Sequence, residues 1–362
     1  MTRATNSALM RLKNEKHILS LINKGPISRV EIAKKTGLTK AAVTIIVDEL
    51  KQKNIVFEQP IQLNTVGRNP VMLYLNGDAF YFISINITRR SITVGITNLA
   101  GKIISQDKFS ICAPDVAFDK IKASVECQIE KTHIDRGKIY KASVVTPGPV
   151  DTEWGMILNP PNFNEWHYVS VVTEMQKSMD FEFVMENVSS ATALAEKYFG
   201  VAGNDASFMI LQVDEGIGSG IIINDMLFKR LCEFGHISIK HDGIKCECGN
   251  CGCLEKYASI PNILQNTGYE SWQQVIEENN MDLVEAEAEY LSTAIISANN
   301  IFEFDKIVLC GDLTYQPELL LDLISLKIKA NMLSKKTLKI CAGEVTSKLL
   351  IASAVAIHDL LT

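Results

Sequence analysis

Glu233-Phe234-Gly235-His236, followed by Cys246-Glu247-Cys248-Gly249-Asn250-Cys251-Gly252-Cys253-Leu254-Glu255, is the most informative stretch of this chain. Cys246, Cys248 and Cys253 are spaced two and five positions apart, with glycines that permit a tight knuckle. Three thiolates so placed occupy three corners of a tetrahedron, and a histidine from a neighbouring segment, His236, fills the fourth. A site closed by three thiolates and one imidazole has no open position for water, so the expected ion is a structural zinc rather than a hydrolytic one. An all-cysteine set with Cys251 in place of His236 is the alternative. Because Cys253 follows Cys251 so closely, one of the two thiols is expected to point away, which favours His236, Cys246, Cys248 and Cys253. Redox thiols are the non-metal reading of the same residues.

The other cysteines, Cys112, Cys127, Cys232, Cys310 and Cys341, are scattered among apolar residues and bring the total to nine. An odd, scattered set reads as reduced thiols, and the expected location is cytoplasmic. At 362 residues, 47% hydrophobic and 22% charged, the chain predicts two or three domains with ample core and excludes disordered, collagenous and coiled-coil classes. No apolar run has the length of a membrane span, and Met1–Met10 lacks a hydrophobic signal core.

The net charge of −6 is unevenly distributed. Residues 1–77 hold twelve Lys or Arg against five Asp or Glu, a net of +7, which leaves −13 for the remainder. A basic head on an acidic body predicts that the head meets a polyanion, because phosphate neutralisation supplies most non-specific nucleic-acid affinity.

Within that head, the amphipathic run His17–Ile22 is a first helix ended by Gly25-Pro26. Ser28-Arg29-Val30-Glu31 reads as a capping box for a short second helix that stops at Gly37. Thr39 caps a third helix, with Val43, Ile46, Val47 and Leu50 on one face and Thr39, Lys40, Ala42 and Thr44 at its exposed start. Small, polar and basic residues there suit the major groove. Ile55–Gln59 and Pro70–Asn76 have strand character around Asn64–Arg68, the layout of a β-wing with Arg68 at its tip. The expected DNA contacts are Arg29, Thr39, Lys40, Ala42, Thr44 and Arg68, and the rival reading is a helical hairpin used for protein contact.

These features together resemble the ROK family of sugar-responsive repressors and sugar kinases over nearly the whole chain. The zinc-knuckle stretch is the most specific piece. Thr146-Pro147-Gly148-Pro149-Val150-Asp151, Pro161-Asn162-Phe163, Glu186-Asn187 and Gly216-Ile217-Gly218-Ser219-Gly220 also match. The winged head is similar to that of the family's xylose-repressor and N-acetylglucosamine-repressor branch. The resemblance implies a multidomain chain: a winged helix-turn-helix over residues 1–76, then an α/β actin-like (ribonuclease H-like) body over 77–362. That body has a first lobe at about 77–186 plus 345–362 and a second at about 187–344, with ligand between them. Strands are expected at 80–87, 91–97, 102–109, 208–213 and 220–223, and helices at 117–131, 282–300 and 348–361. Carried over residue by residue, the sugar contacts are Asn162, Asn187, Glu233, His236 and Glu255. His236 would give one ring nitrogen to zinc and the other N–H to a hydroxyl.

The kinases of the family need more. Where their first phosphate cradle reads Asp-x-Gly-Gly-Thr-Lys, this chain has Asn86-Ile87-Thr88-Arg89-Arg90-Ser91. Asp214-Glu215 replace the Gly-Thr of the second, and Val188 stands where the catalytic Asp follows Glu-Asn. Carboxylates repel a triphosphate and valine takes no proton. Asp225–Cys232 is also shorter than the family's usual glycine-rich loop. The expectation is therefore a non-enzymatic repressor of sugar-utilisation genes, a homodimer or higher homo-oligomer, that binds operator DNA and answers to a sugar or sugar derivative. The alternative is a sugar kinase with an appended head.

Overall fold

In the computed structural model, placement is described for residues 3–61, 70–230, 232–333 and 337–362. The wing tip at Asn64–Arg68, and with it the expected DNA contact Arg68, lies outside the described residues. The chain divides into two compact units, one of residues 1–187 with 347–362 and the other of residues 188–346.

The first unit opens with three helices, α1 (Arg3–Asn23), α2 (Arg29–Thr36) and α3 (Lys40–Gln52). The first is longer than its apolar core predicts and ends ahead of Gly25, whose positive φ starts the turn. The capping box is present: the Glu31 amide donates to Ser28 Oγ at 3.3 Å, and the Ser28 amide donates to the Glu31 carboxylate at 3.0 Å. Gly37, at φ 71°, ends α2 in the left-handed region, and Thr39 accepts from the Ala42 amide to begin α3. Val43, Val47 and Leu50 are fully buried and close this small core against Ile18, Ile32 and Leu73. Strands β1 (Val56–Pro60) and β2 (Val71–Leu75) pair antiparallel, Val56 opposite Leu75.

The same unit continues with β3 (Tyr81–Ile87), β4 (Ser91–Asn98), β5 (Ile103–Ser110), α4 (Pro114–Thr132) and β6 (Ile139–Thr146). A two-stranded hairpin, β7 (Val150–Asp151) with β8 (Met156–Ile157), precedes α5 (Val171–Gln176) and β9 (Phe183–Asn187). The sheet order is β5-β4-β3-β6-β9, with an antiparallel meander on one side and parallel strands β3, β6 and β9 on the other. Strands β3 and β4 are almost wholly buried, as expected of a sheet covered on both faces, with Ile83, Ile85 and Ile87 alternating with buried Ser84 and Asn86.

The second unit holds α6 (Val188–Phe199), β10 (Phe208–Val213), β11 (Ile217–Ile223) and β12 (Met226–Leu227). After the knuckle come α7 (Glu255–Ala258), α8 (Ile260–Ile263), α9 (Trp272–Glu277) and α10 (Met281–Phe302). They are followed by β13 (Lys306–Cys310), α11 (Glu318–Asn331) and β14 (Lys339–Ala342). Its sheet, β12-β11-β10-β13-β14, repeats the pattern of the first: an antiparallel meander beside parallel β10, β13 and β14. Trp272, Leu291, Ile295 and Phe304 lie in its core. Helix α12 (Lys348–Leu361) then returns to the first unit and packs on β3, β4 and β6. No helix among the described residues is long and apolar enough to cross a membrane.

Candidate functional site

The knuckle is built by backbone bonds that only small residues allow. The Cys246 amide donates to Asn250 O at 2.8 Å, Gly249 to Cys246 O at 3.0 Å, and Gly252 to Ile244 O at 2.8 Å. Gly252, at φ 72°, lies so close to the Lys240 carbonyl that a Cβ would stand 1.7 Å from it, so no other residue fits there. Gly235 is similarly pressed, its hypothetical Cβ 2.4 Å from Ile217 O, which seats the His236 segment on β11.

The result gathers one donor atom each from His236, Cys246, Cys248 and Cys253, all within 4.8 Å of one another. His236 Nδ1 lies 3.6 Å from Cys246 Sγ, and Cys248 Sγ lies 3.6 Å from Cys253 Sγ. Tetrahedral coordination with ordinary metal–sulfur and metal–nitrogen bonds sets edges of about 3.5–3.8 Å, so the donor set fits a metal ion. Cys251 is outside the group. Its carbonyl instead accepts from Ser238 Oγ at 2.7 Å, which helps hold the loop. Burial pushes the Cys253 thiol up to about 12 and raises Cys246, whereas the Asn250 amide and neighbouring donors lower Cys248. A metal ion would therefore displace protons on binding. With Nδ1 facing the thiols, Nε2 is the nitrogen left for another partner.

Two residues past Cys253, Glu255 opens α7, and its Oε2 accepts from the Ile217 amide at 2.9 Å. The knuckle is thereby tied to the turn between β10 and β11. Glu233 is exposed, one turn before His236. In the first unit, Asn187 ends β9; its side-chain amide and its backbone amide both donate to Glu186 Oε1, at 2.9 and 2.8 Å. Asn162 is exposed at φ 56°, a left-handed position that asparagine tolerates, beside the stacked pair Phe163 and Trp166. Asn162 and Asn187 thus belong to the first unit, and Glu233, His236 and Glu255 to the second.

The turns at Thr88–Ser91 and at Asp214–Glu215 have local structural roles. Thr88–Ser91 is a tight turn closed by the Thr88 hydroxyl, which accepts from the Ser91 amide at 3.0 Å, and Arg89 Nε donates to Pro161 O at 2.9 Å. Asp214 accepts from the Asp312 amide at 2.6 Å and from Gln212 at 2.8 Å, and burial raises its carboxyl. Asp214, Glu215, Glu270 and Asp312 line a cavity of about 320 Å³. Four carboxylates around one cavity repel a polyphosphate. Val188 is the first residue of α6.

In the head, Thr39, Lys40 and Thr44 are exposed at the start of α3, with Ala42 half-buried. Arg29 is not among them. Its guanidinium is held by Glu58 at 2.7 Å and Asp48 at 2.8 Å, and it also reaches the Thr44 carbonyl at 3.4 Å. Arg29, expected from the sequence among the DNA contacts, joins α2, α3 and β1 here, with its guanidinium paired to two carboxylates. Exposed Ile45, which sequence reasoning passed over, shares the outer face of α3.

The ROK family profile matches residues 82–354, and a winged helix-turn-helix DNA-binding profile matches residues 11–56. The chain is 31% identical to the xylose repressor of Bacillus spizizenii over 260 residues, covering 70% of this chain and 67% of that protein. It is 27% identical to the DNA-binding transcriptional dual regulator NagC of Escherichia coli K12, covering 88% and 85%. A crystal structure of a ROK family transcriptional regulator, a homologue of the E. coli MLC protein, superposes with TM-score 0.79 at 25% identity, covering 97% of this chain and 96% of that one. The ROK hexokinase of Thermus thermophilus shares the fold alone, at TM-score 0.67 and 19% identity, covering 77% of this chain and 97% of that one. The protein described here belongs to the ROK family and carries a winged helix-turn-helix at its N-terminus.

Proposed function

We propose that this protein is a transcriptional repressor of sugar-utilisation genes that binds operator DNA as a homodimer and answers to a sugar without chemically altering it. One observation carries the reading: the β10–β11 turn, where the related kinases seat nucleotide, here lines a cavity with four carboxylates. The relatives named xylose repressor and N-acetylglucosamine repressor point to a pentose or an amino sugar as the first ligands to test.

The metal assigned to the knuckle is zinc, which suits three thiolates and one imidazole and supplies structure rather than catalysis. His236, Cys246, Cys248 and Cys253 would hold it. The side chains proposed to meet sugar hydroxyls are Asn162, Asn187, Glu233, the Nε2 edge of His236 and Glu255. Glu255 is steadied by the Ile217 amide, so its orientation does not depend on ligand. DNA contacts come from Thr39, Lys40, Ala42, Thr44 and Arg68. A ligand lowers operator affinity only by preferring the arrangement that binds DNA poorly.

The test is a thermal-shift screen of sugars and phosphosugars, followed by DNA binding with and without each hit on duplexes selected from a random pool. One sugar is expected to raise the melting temperature and release DNA, because a ligand that binds only the native state stabilises it. Sugar phosphorylation from ATP at ordinary kinase rates would overturn the proposal.

A further inference from the structure

Four aliphatic residues of α3, Val43, Ile46, Val47 and Leu50, close the interior of the head, but Ile45 does not. Its side chain is 57% exposed. Helical spacing sets Ile45 one turn beyond Ala41 and beside Thr44, on the outer face of α3. A single exposed aliphatic residue is ordinary on a protein surface. What distinguishes this one is the chemistry around it.

Lys40 supplies a cation at the start of the face, and the Thr44 hydroxyl donates to the Lys40 carbonyl at 2.9 Å, so its proton is engaged by its own helix. Asp48, one turn further on, is held by Arg29 at 2.8 Å. The middle of the face is therefore apolar: Ala41, Ile45 and the aliphatic part of Thr44. In a helix that enters the major groove, such a centre has one apolar partner among the base edges, the C5-methyl of thymine. Set against cytosine or guanine, it would bury a donor or acceptor with nothing to satisfy it.

We infer that Ile45 selects a thymine methyl within each half-site of the operator. This rests on the proposal that α3 enters the major groove.

The experiment selects duplexes from a random pool with the full-length wild type, Ile45→Ala and Ile45→Val at one fixed salt concentration, and then replaces each selected thymine by deoxyuridine, which removes only the methyl. For the wild type, one replacement per half-site is expected to weaken binding roughly fourfold, the value of one buried methyl group. Ile45→Ala should bind thymine and deoxyuridine duplexes equally and lose preference at that position alone, and Ile45→Val should keep it. Wild-type binding indifferent to deoxyuridine at every thymine, or an unchanged preference in Ile45→Ala, overturns the role of Ile45. If the wild type enriches no sequence, the DNA-binding reading of the head falls, and this role falls with it. Because Ile45 is exposed, all three proteins are expected to melt within a few degrees of one another.

Discussion

Lys16 Nζ, on the first helix of the head, donates to the main-chain carbonyl of Asp359, near the end of the last helix, at 2.8 Å. The Asp359 carboxylate is itself held by Lys141 at 2.6 Å and by the Tyr140 hydroxyl at 3.2 Å. Burial and the nearby Asp359 charge push the Tyr140 hydroxyl to about 12, so it remains a donor. Helix α12 is also the segment by which the chain returns from the second unit to the first. It is thus covalently joined to one unit's last strand and hydrogen-bonded to the DNA-binding head. A Lys16→Met variant keeps the aliphatic stem and removes the donor. It is expected to bind ligand-free DNA within about threefold of wild type, the value of one hydrogen bond, while needing a different sugar concentration for half-release. Titration of DNA release against the sugar found by thermal shift checks this, and an unchanged midpoint would remove Lys16 from the coupling.

Two basic residues of the head should fail in different ways when replaced by alanine. Lys40 is exposed and its loss should cut affinity for all duplexes alike and reduce the slope of log affinity against log salt by about 0.9, one phosphate contact. Arg29 is bound to Asp48 and Glu58, and its loss should lower the melting temperature of the head and leave Asp48 without its cation on α3, while Glu58 keeps Lys51. DNA binding then weakens through repulsion at a slope changed by less than Lys40→Ala changes it. Equal slopes for the two variants would place Arg29 on phosphate after all.

Replacing Cys248 by serine removes one of four donors while altering an exposed position. Metal analysis should give one zinc per wild-type chain and less for the variant, with a loss of several kcal/mol in the second unit, since metal binding there is folding free energy. The same change at Cys251, which lies outside the donor group, should keep full metal content. A Cys248→Ser protein of native stability without metal would contradict the structural role.

The elements that sequence reasoning reached best are those whose signals are local. Ser28 with Glu31, Gly37 and Thr39 each satisfy or end a helix through their own neighbours, so the helix-turn-helix could be read residue by residue. The knuckle was legible for the same reason, its donors and glycines lying within one short stretch. The pairing of Arg29 with Glu58 could not be read from the sequence, because the two are 29 residues apart and no local pattern announces a long-range ion pair. Ile45 was passed over although the helical period that joins Val43, Ile46, Val47 and Leu50 already leaves it on the other face, because a lone exposed aliphatic residue carries no signal of its own. The closing of the β10–β11 cavity by Glu270 and Asp312 was equally hidden, since those carboxylates come from segments distant in the chain.

Glu287 on α10 is completely buried, and neither carboxylate oxygen has a hydrogen-bond partner among the described residues. Burial raises its carboxyl well above the ordinary glutamate range. The folded state therefore holds a proton that the unfolded chain releases above about pH 4.3. The sign follows: the contribution of Glu287 to stability is greatest below that pH and is progressively lost as pH rises toward the folded-state value. Glu287→Leu is expected to raise the melting temperature at pH 7.5 and to narrow the gap between the melting temperatures at pH 5.5 and 7.5. A variant that is less stable than wild type at pH 7.5 would show that the carboxyl has a partner it needs.

Restoring the missing proton acceptor should not restore phosphoryl transfer. Val188→Asp places a carboxylate at the start of α6, directly after Glu186 and Asn187. Proton abstraction is only one requirement, and seating a triphosphate is another. The seat remains lined by Asp214, Glu215, Glu270 and Asp312, and Arg89 remains engaged with the Pro161 carbonyl. ATP should therefore leave the melting temperature of both wild type and Val188→Asp unchanged, and neither should phosphorylate xylose, glucose or N-acetylglucosamine. Only when Asp214 and Glu215 are also replaced, by glycine and threonine, is nucleotide-dependent stabilisation expected to appear. A Val188→Asp protein that turned over on its own would mean that the carboxylates at the β10–β11 turn do not exclude nucleotide, and the repressor reading would lose its main physical support.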